Sequence, residues 1–485
     1  MPAIPVEWLP PLMFLVLFLF MISGFPVAFA LAANGLLFGY VAIEQGLMST
    51  ALLQALPERI FGIMSNDTLL AIPFFTFMGL VLERSGMAED LLETIGQLFG
   101  KIQGGLAYAV ILVGALLAAT TGVVAASVIS MGLISLPIML KYGYSQTIST
   151  GVIAASGTLA QIIPPSLVLI VMADQLGVSV GAMYQGAMLP SLLLVGLYAA
   201  YIFLITRFRK DDLPALPADA LVWTSQNPGL EKLKAVLFVL MPPLLLVFLV
   251  LGTIFLGIAT PTEGGAMGAV GALAIAAARK RLNLDLLKQA LDSTMKLSCF
   301  VMFILIGSTV FGLTFRAVEG DSWVAHLMGN LPGGELGFLI AVQILIFVLG
   351  FFLDFFEIAF IVIPLLVPVA QNLGIDLVWF GVMIAMNMQT SFLTPPFGFS
   401  LFYLKSVTPA TVKTIQIYKG SVPFIGLQLL MVILIIMFPK MVIQEEKVKY
   451  QDSPLQLDLP GQGYGAEGGL DAQPYSPNFS DQESR

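Results

Sequence analysis

The sequence predicts an all-α polytopic membrane protein built as two inverted repeats, each of about five spans plus a re-entrant hairpin and a broken helix. Three observations carry this. The 485 residues are 58% hydrophobic and only 11% charged, and the mean hydropathy is +0.93, so apolar runs long enough to cross a bilayer recur along the chain. Two proline pairs, Pro164-Pro165 and Pro395-Pro396, interrupt such runs 231 residues apart (395 − 164 = 231). Pro368 and Gly374 repeat Pro137 and Gly143 at that same offset (368 − 137 = 231; 374 − 143 = 231).

The first repeat covers 8–206. Spans at about 8–24 and 26–43 go in and return, an outer loop carries Glu44, Glu58 and Asp67, and about 69–82 leads inward to Arg84 and Lys101. A hairpin at about 105–140 turns near Thr120-Thr121-Gly122, a broken helix at about 146–172 crosses to Asp174, and 186–206 returns to Arg207. The linker 207–234 holds Arg207, Arg209, Lys210, Lys232 and Lys234 and is therefore cytoplasmic. Five spans is an odd number, so the second repeat must face the opposite way.

That second repeat covers 235–440. Spans at about 235–257, 262–278 and 297–315 lead to an outer loop with Glu319, Asp321 and Glu335. A hairpin at about 338–372, with short arms and Asp354 and Glu357 at its turn, precedes a broken helix at about 377–404 and a last span at 421–439, which puts both termini outside. Segments 84–100 and 281–296 set leucines opposite charges and read as interfacial helices. The tail, 451–485, is polar and rich in Pro and Gly, as disordered segments are.

Several function classes drop out. Cys299 and His326 are single, which removes the ligands and bases that an intramembrane metalloprotease, a haem carrier or a Ser-His hydrolase needs. No Gly-rich loop ends in Gly-Lys-Ser or Gly-Lys-Thr. Neither enzyme activity, bound cofactor nor nucleic-acid partner is expected; the partner is membrane lipid. The N-terminus lacks a basic region and a small-residue cleavage signal, so the first helix is read as retained.

Chemistry should sit at the breaks. Pro164, Pro165, Pro395 and Pro396 stop a helix, and the carbonyls they free must line a wet cavity or be buried in protein, since each left in lipid costs several kcal/mol. Paired interrupted segments in two halves point to a transporter's binding site. Polar groups there are Thr120, Thr121, Ser127, Ser156 and Thr158 in one half and Asp354, Asn387, Gln389, Thr390 and Thr394 in the other. Thr121, Ser156, Thr158, Asn387, Gln389 and Thr390 are the candidate substrate contacts. Ser127, Ser156, Gly157, Thr158, Asp354, Asn387 and Thr394 offer hard oxygens for a cation, with Asp354 the membrane-depth acid. Proton coupling through Asp354 or Glu263 is the competing reading, and Glu263 also suits a helix cap. Arg316 ends an apolar run and should snorkel outward.

Ser156-Gly157-Thr158 through Pro164-Pro165-Ser166, Pro261-Thr262-Glu263, Asp354 with Pro364 and Pro368, and Leu393-Thr394-Pro395-Pro396-Phe397-Gly398 together resemble the large membrane subunit of tripartite ATP-independent periplasmic (TRAP) transporters, over about residues 8–440. Gln389-Thr390-Ser391-Phe392 looks most like the branch labelled mannitol or chloroaromatic compound transport, although Met388-Gln389-Thr390-Ser391 stands where many members have a Gly-rich stretch. The resemblance implies an elevator-type, Na⁺-coupled importer of organic acids such as dicarboxylates in a bacterial inner membrane. It also implies a separate small four-helix membrane subunit, unfused because no such domain precedes residue 8, and a periplasmic substrate-binding protein. The alternatives are a stand-alone Na⁺/carboxylate symporter and a membrane scaffold without transport.

Overall fold

A computed structural model describes residues 5–217, 229–329, 331–395 and 398–443, so the tail at 451–485, part of the linker and Pro396 lie outside the described residues. Every regular element among them is helical. Six helices are long and apolar enough to cross a membrane, or up to nine spans if each of three bent pairs counts as one. Phe203, Phe238 and Phe248 are each more than 60% exposed, as side chains facing lipid rather than water would be.

The first half opens with α1 (Leu9–Ile22) and α2 (Val27–Glu44). Two short helices, α3 (Thr50–Gln54) and α4 (Leu56–Met64), occupy the acidic segment expected to be an open loop. After them come α5 (Asp67–Arg84) and the amphipathic α6 (Met87–Phe99). The hairpin is α7 (Gly105–Thr121) and α8 (Val124–Lys141), the broken helix is α9 (Gln146–Thr158) and α10 (Leu167–Leu176), and α11 (Val180–Phe208) closes the half.

The second half runs through α12 (Gly229–Phe255), α13 (Pro261–Ala278) and α14 (Leu284–Ala317). Next come α15 (Gly320–Gly329), inside the acidic segment, and α16 (Gly334–Leu349). Then follow α17 (Phe355–Ile361), α18 (Ile363–Asn372), α19 (Leu377–Leu393), α20 (Phe399–Val407) and α21 (Thr414–Met437).

One expectation is corrected here. The interfacial segment 281–296 and the span 297–315 are not separate: from Leu284 on, both belong to the 34-residue α14, roughly 50 Å long. Asn283 caps its start by accepting from the Leu286 N–H at 2.7 Å, and nothing inside stops it, for the stretch contains no proline. Its counterpart α6 is cut from α5 because Gly86 adopts φ +74°, a left-handed conformation that ends a helix.

The 231-residue offset holds for whole elements. Shifted by it, α8 becomes 355–372, the stretch filled by α17 and α18, and α10 becomes 398–407, the place of α20. The packing repeats too. Helix α2 lies along α14 while α5 lies along α13, and the offset exchanges these pairs; α8 against α20 likewise exchanges with α10 against α17 and α18. Where α9 crosses α21 the backbones almost touch: a Cβ on Gly151 would sit 2.1 Å from the Gly420 carbonyl oxygen, and one on Gly420 would sit 2.1 Å from that of Thr147. Glycine at both positions is what permits the crossing.

Candidate functional site

Four interruptions of helix converge. The first hairpin turns at Gly122, whose φ of +60° ends α7, and Val123 opens α8 with no side-chain cap. In the first broken helix, α9 tightens into a short 3-10 turn, Leu159–Gln161, before the cis Pro164-Pro165 bond. The Ser166 hydroxyl spans the gap, donating to the Gln161 carbonyl at 2.7 Å and accepting from the Val168 N–H at 3.2 Å.

In the second half Asp354 starts α17. Its Oδ1 accepts from the Glu357 N–H at 3.0 Å and the Glu357 carboxylate accepts from the Asp354 N–H at 2.9 Å, a reciprocal cap. The last helix end belongs to α19, where Thr394 Oγ1 donates to the Thr390 carbonyl at 2.7 Å.

Between these tips lies a cavity of about 320 Å³. Gly122 to Ala125 come from the first hairpin, Gln161 and Leu167 from the first break, Asp354 and Phe356 from the second hairpin, and Phe392 and Phe399 from the two sides of the second break. Phe300 of α14 and Tyr403 of α20 complete its wall. The rings are packed in pairs, Phe300 with Phe356 at 6.2 Å between centroids and Phe392 with Phe399 at 5.3 Å. No Lys, Arg or His lines it among the described residues.

Of the described residues singled out by sequence as substrate or cation contacts, Asp354 alone lines this cavity. Thr121, Ser127, Ser156, Gly157, Thr158, Asn387, Gln389 and Thr390 are buried in the helix packing instead. Thr121 donates to the Leu117 carbonyl at 2.8 Å and shares a 3.0 Å hydrogen bond with Ser127. Ser156 is fully buried, its hydroxyl unpartnered, on the side of α9 where Gly114 of α7 approaches, and Gly157 lies against Val128. Asn387, at Ser156's place in the second half (387 − 156 = 231), donates to the Gln343 carbonyl at 2.7 Å and leaves Oδ1 unpartnered. Gln389 Nε2 reaches only the Met386 sulfur at 3.4 Å, and Gln389 Oε1 and Thr390 Oγ1 are buried without partners. Thr158 donates to the Ala155 carbonyl at 2.8 Å. Glu263 caps α13 reciprocally with Thr260, which accounts for its place structurally.

Sequence reasoning passed over three groups. Gln161 lines the cavity, is 2% exposed and has an unpartnered Oε1; its signal was its position three residues before Pro164. Tyr403 lies a helical turn past Phe399, in a run that reads as plain span. Gln428 donates to Thr158 Oγ1 at 3.2 Å and to the Tyr198 hydroxyl at 2.8 Å; its signal was an amide in the middle of an apolar run, Ile425 to Met437.

Comparison with known proteins follows the same bounds. Residues 14–441 match the family described as tripartite ATP-independent periplasmic transporter, DctM component. The C4-dicarboxylate TRAP transporter large permease protein DctM of Pseudomonas aeruginosa is 31% identical over 81% of this chain and 89% of its own length. That of Vibrio cholerae is 30% identical over 88% and 95%. Among solved structures, the YdaH transporter of Alcanivorax borkumensis, described as having an unusual topology, aligns with a TM-score of 0.55 at 15% identity over 81% of this chain and 90% of that one. At that identity the likeness is one of fold.

Proposed function

We propose, from the premise that this chain belongs to the DctM component family of tripartite ATP-independent periplasmic transporters and is a multi-pass protein of the bacterial inner membrane, that it imports an organic acid together with Na⁺. The single observation behind this reading is the cavity shared by all four helix interruptions. Helix starts that open on it carry unpaired N–H groups and partial positive charge for an anion, while helix ends and Asp354 offer oxygens to a cation. The unpartnered oxygens of Ser156, Asn387, Gln389 and Thr390 are further hard donors of the kind Na⁺ takes. Thr121, Ser127, Thr158 and Thr394 keep lone pairs free after donating their own protons.

The two halves face opposite ways in the membrane, as the odd number of spans per half and the exchanged packing pairs suggest. Hairpins and broken helices then move as one body against the remaining helices, carrying the cavity from one face to the other. A small four-helix membrane subunit and a periplasmic binding protein complete the assembly, as in the tripartite family. Helix α5, which would border the moving body, already meets it at two polar points: Asn66 at its start donates to Asp174 at 2.7 Å and its Glu83 accepts from Ser130 of α8 at 2.8 Å.

Uptake by proteoliposomes containing this chain and the small subunit, with and without the binding protein, tests the reading. Uptake only when the binding protein is present is expected. Robust uptake by this chain alone would favour a stand-alone symporter, and none under any condition a scaffold. Flux in sodium against choline buffer at clamped pH tests the ion, and equal flux in both would reject sodium coupling.

A further inference from the structure

A second recess, of about 460 Å³, shares no lining residue with the cavity between the helix interruptions. Helices α1 and α15 form one side of it and the second hairpin, α16 to α18, the other. Every described side chain on its wall is apolar, and the Trp323 indole N–H is the only polar group among them. The matching place in the first half is closed. Leu327 there becomes Gly96 (327 − 231 = 96), where a Cβ would sit 3.3 Å from Leu106 of α7, so α6 settles directly on that helix. Leu91 and Ile95 of α6 are each 1% exposed. Leu327 is instead 49% exposed, on the recess wall. Phe18, Ile22 and Phe352 of that wall are likewise more than 40% exposed, and Leu15, Leu19 and Ile344, outside it on α1 and α16, more than 50%. Recess and lipid-facing surface are therefore one continuous apolar face.

We infer that an acyl chain of a membrane phospholipid occupies this recess. Left empty, the wall would forfeit the dispersion contacts of one whole side, and water finds no polar partners there. Hydrocarbon chains stand at the mouth. Trp323 marks the head-group end, because α15 also carries Asp321 and His326 and an indole, apolar in body with one N–H, suits the membrane interface. Phe352, at the turn of the hairpin, marks the methyl end. A helix of the small subunit fits less well: it is about 10–12 Å across and would bridge the outer helices and the hairpin, whereas a lipid chain bends and exchanges as the two sides part. The inference rests on the membrane placement of the chain and not on its transport cycle.

Phospholipid with bromine on its acyl chain, which quenches indole fluorescence on contact, is the probe. The full chain, reconstituted in bilayers, keeps Trp323 as its only tryptophan through Trp8→Phe, Trp223→Phe and Trp379→Phe, with Trp379→Tyr where phenylalanine does not fold. Bromine near the head-group end should quench Trp323 more than bromine near the methyl end. Moving the reporter, with Trp323→Phe and Phe352→Trp, should reverse that order. Leu349→Phe fills the recess and should remove most of the quenching at Trp323, and Val362→Leu serves where that variant does not fold. A chain whose only tryptophan is Trp8, 62% exposed and off the recess wall, reports bulk lipid and should keep its quenching in the same filled background. Quenching of Trp323 that survives filling, or none at all in the unfilled protein, overturns the inference. Loss of the quenching when the small subunit is added would assign the recess to a protein partner and overturn it equally.

Discussion

Gln428 donates to the hydroxyl of Thr158 at 3.2 Å across 270 residues of sequence. The bond ties the last helix of the second half to the break in the first. The same amide donates to Tyr198 at 2.8 Å, so one side chain on α21 joins α9 and α11 at the level of the first interruption. Its Oε1 is left unpartnered.

Gln428→Leu should therefore destabilise the protein by about 1–3 kcal/mol, because Thr158 and Tyr198 both lose a buried partner. Tyr198→Phe removes one bond and should cost only about 1 kcal/mol. Detergent melting of the two variants beside the parent measures this, and equal midpoints for all three would show the network to be idle.

The crossing of α9 and α21 gives a contrast within one helix. Gly420→Ala forces a Cβ to within 2.1 Å of the Thr147 carbonyl oxygen, whereas Gly426, on the same helix, has nothing within 4 Å of where its Cβ would be. Gly420→Ala should cost about 1–3 kcal/mol or prevent folding. Gly426→Ala should be neutral or stabilise by up to about 1 kcal/mol. Monodisperse yield in size-exclusion chromatography separates the two.

Asp354 combines a cap with a charge at the cavity. Asparagine caps nearly as well as aspartate, while alanine loses about 1 kcal/mol. Asp354→Asn should then keep the melting temperature within a degree or two of the parent and still lose most sodium-dependent uptake, and Asp354→Ala should lose both. Full uptake in Asp354→Asn would confine the residue to capping.

Asn66 and Asp174 meet at 2.7 Å where α5 begins and α10 ends. If hairpins and broken helices slide past α5, that contact exists in one end state only. Cysteines at both positions, in a Cys299→Ser background that removes the chain's single thiol, should be linked by a short bis-thiol reagent. Linking should abolish uptake, and a cleavable linker should restore it. Undiminished uptake by the linked protein would mean that α5 and α10 travel together.

Much of the architecture was legible without coordinates, for a physical reason. In hydrocarbon the backbone must satisfy itself, so spans appear as apolar runs, and glycine or a proline pair marks some of their interruptions, although α12 runs unbroken through Pro242-Pro243. The turn at Gly122 and the break at Pro164-Pro165 fall at a glycine and a proline pair visible in the sequence, whereas the capping role of Asp354, read from sequence as a cation ligand at a hairpin turn, emerged only from the structure. Continuity was not legible: 281–296 and 297–315 differ in polarity yet form one helix, since polarity tracks environment and only a breaker such as Gly86 interrupts hydrogen bonding.

The site divides along the same line. Local pattern determined which stretches are interrupted and which polar residues accompany them, because helix breaking is decided within a few residues. Only the packed structure decided which of those residues meet. It sent Ser156, Thr158, Asn387 and Thr390 into buried contacts behind the tips and brought Gln161, Phe356 and Tyr403 to the cavity. Which face of a half-helix turns toward a neighbour depends on helices more than 200 residues away, such as α21 against α9, and no spacing along the chain encodes that.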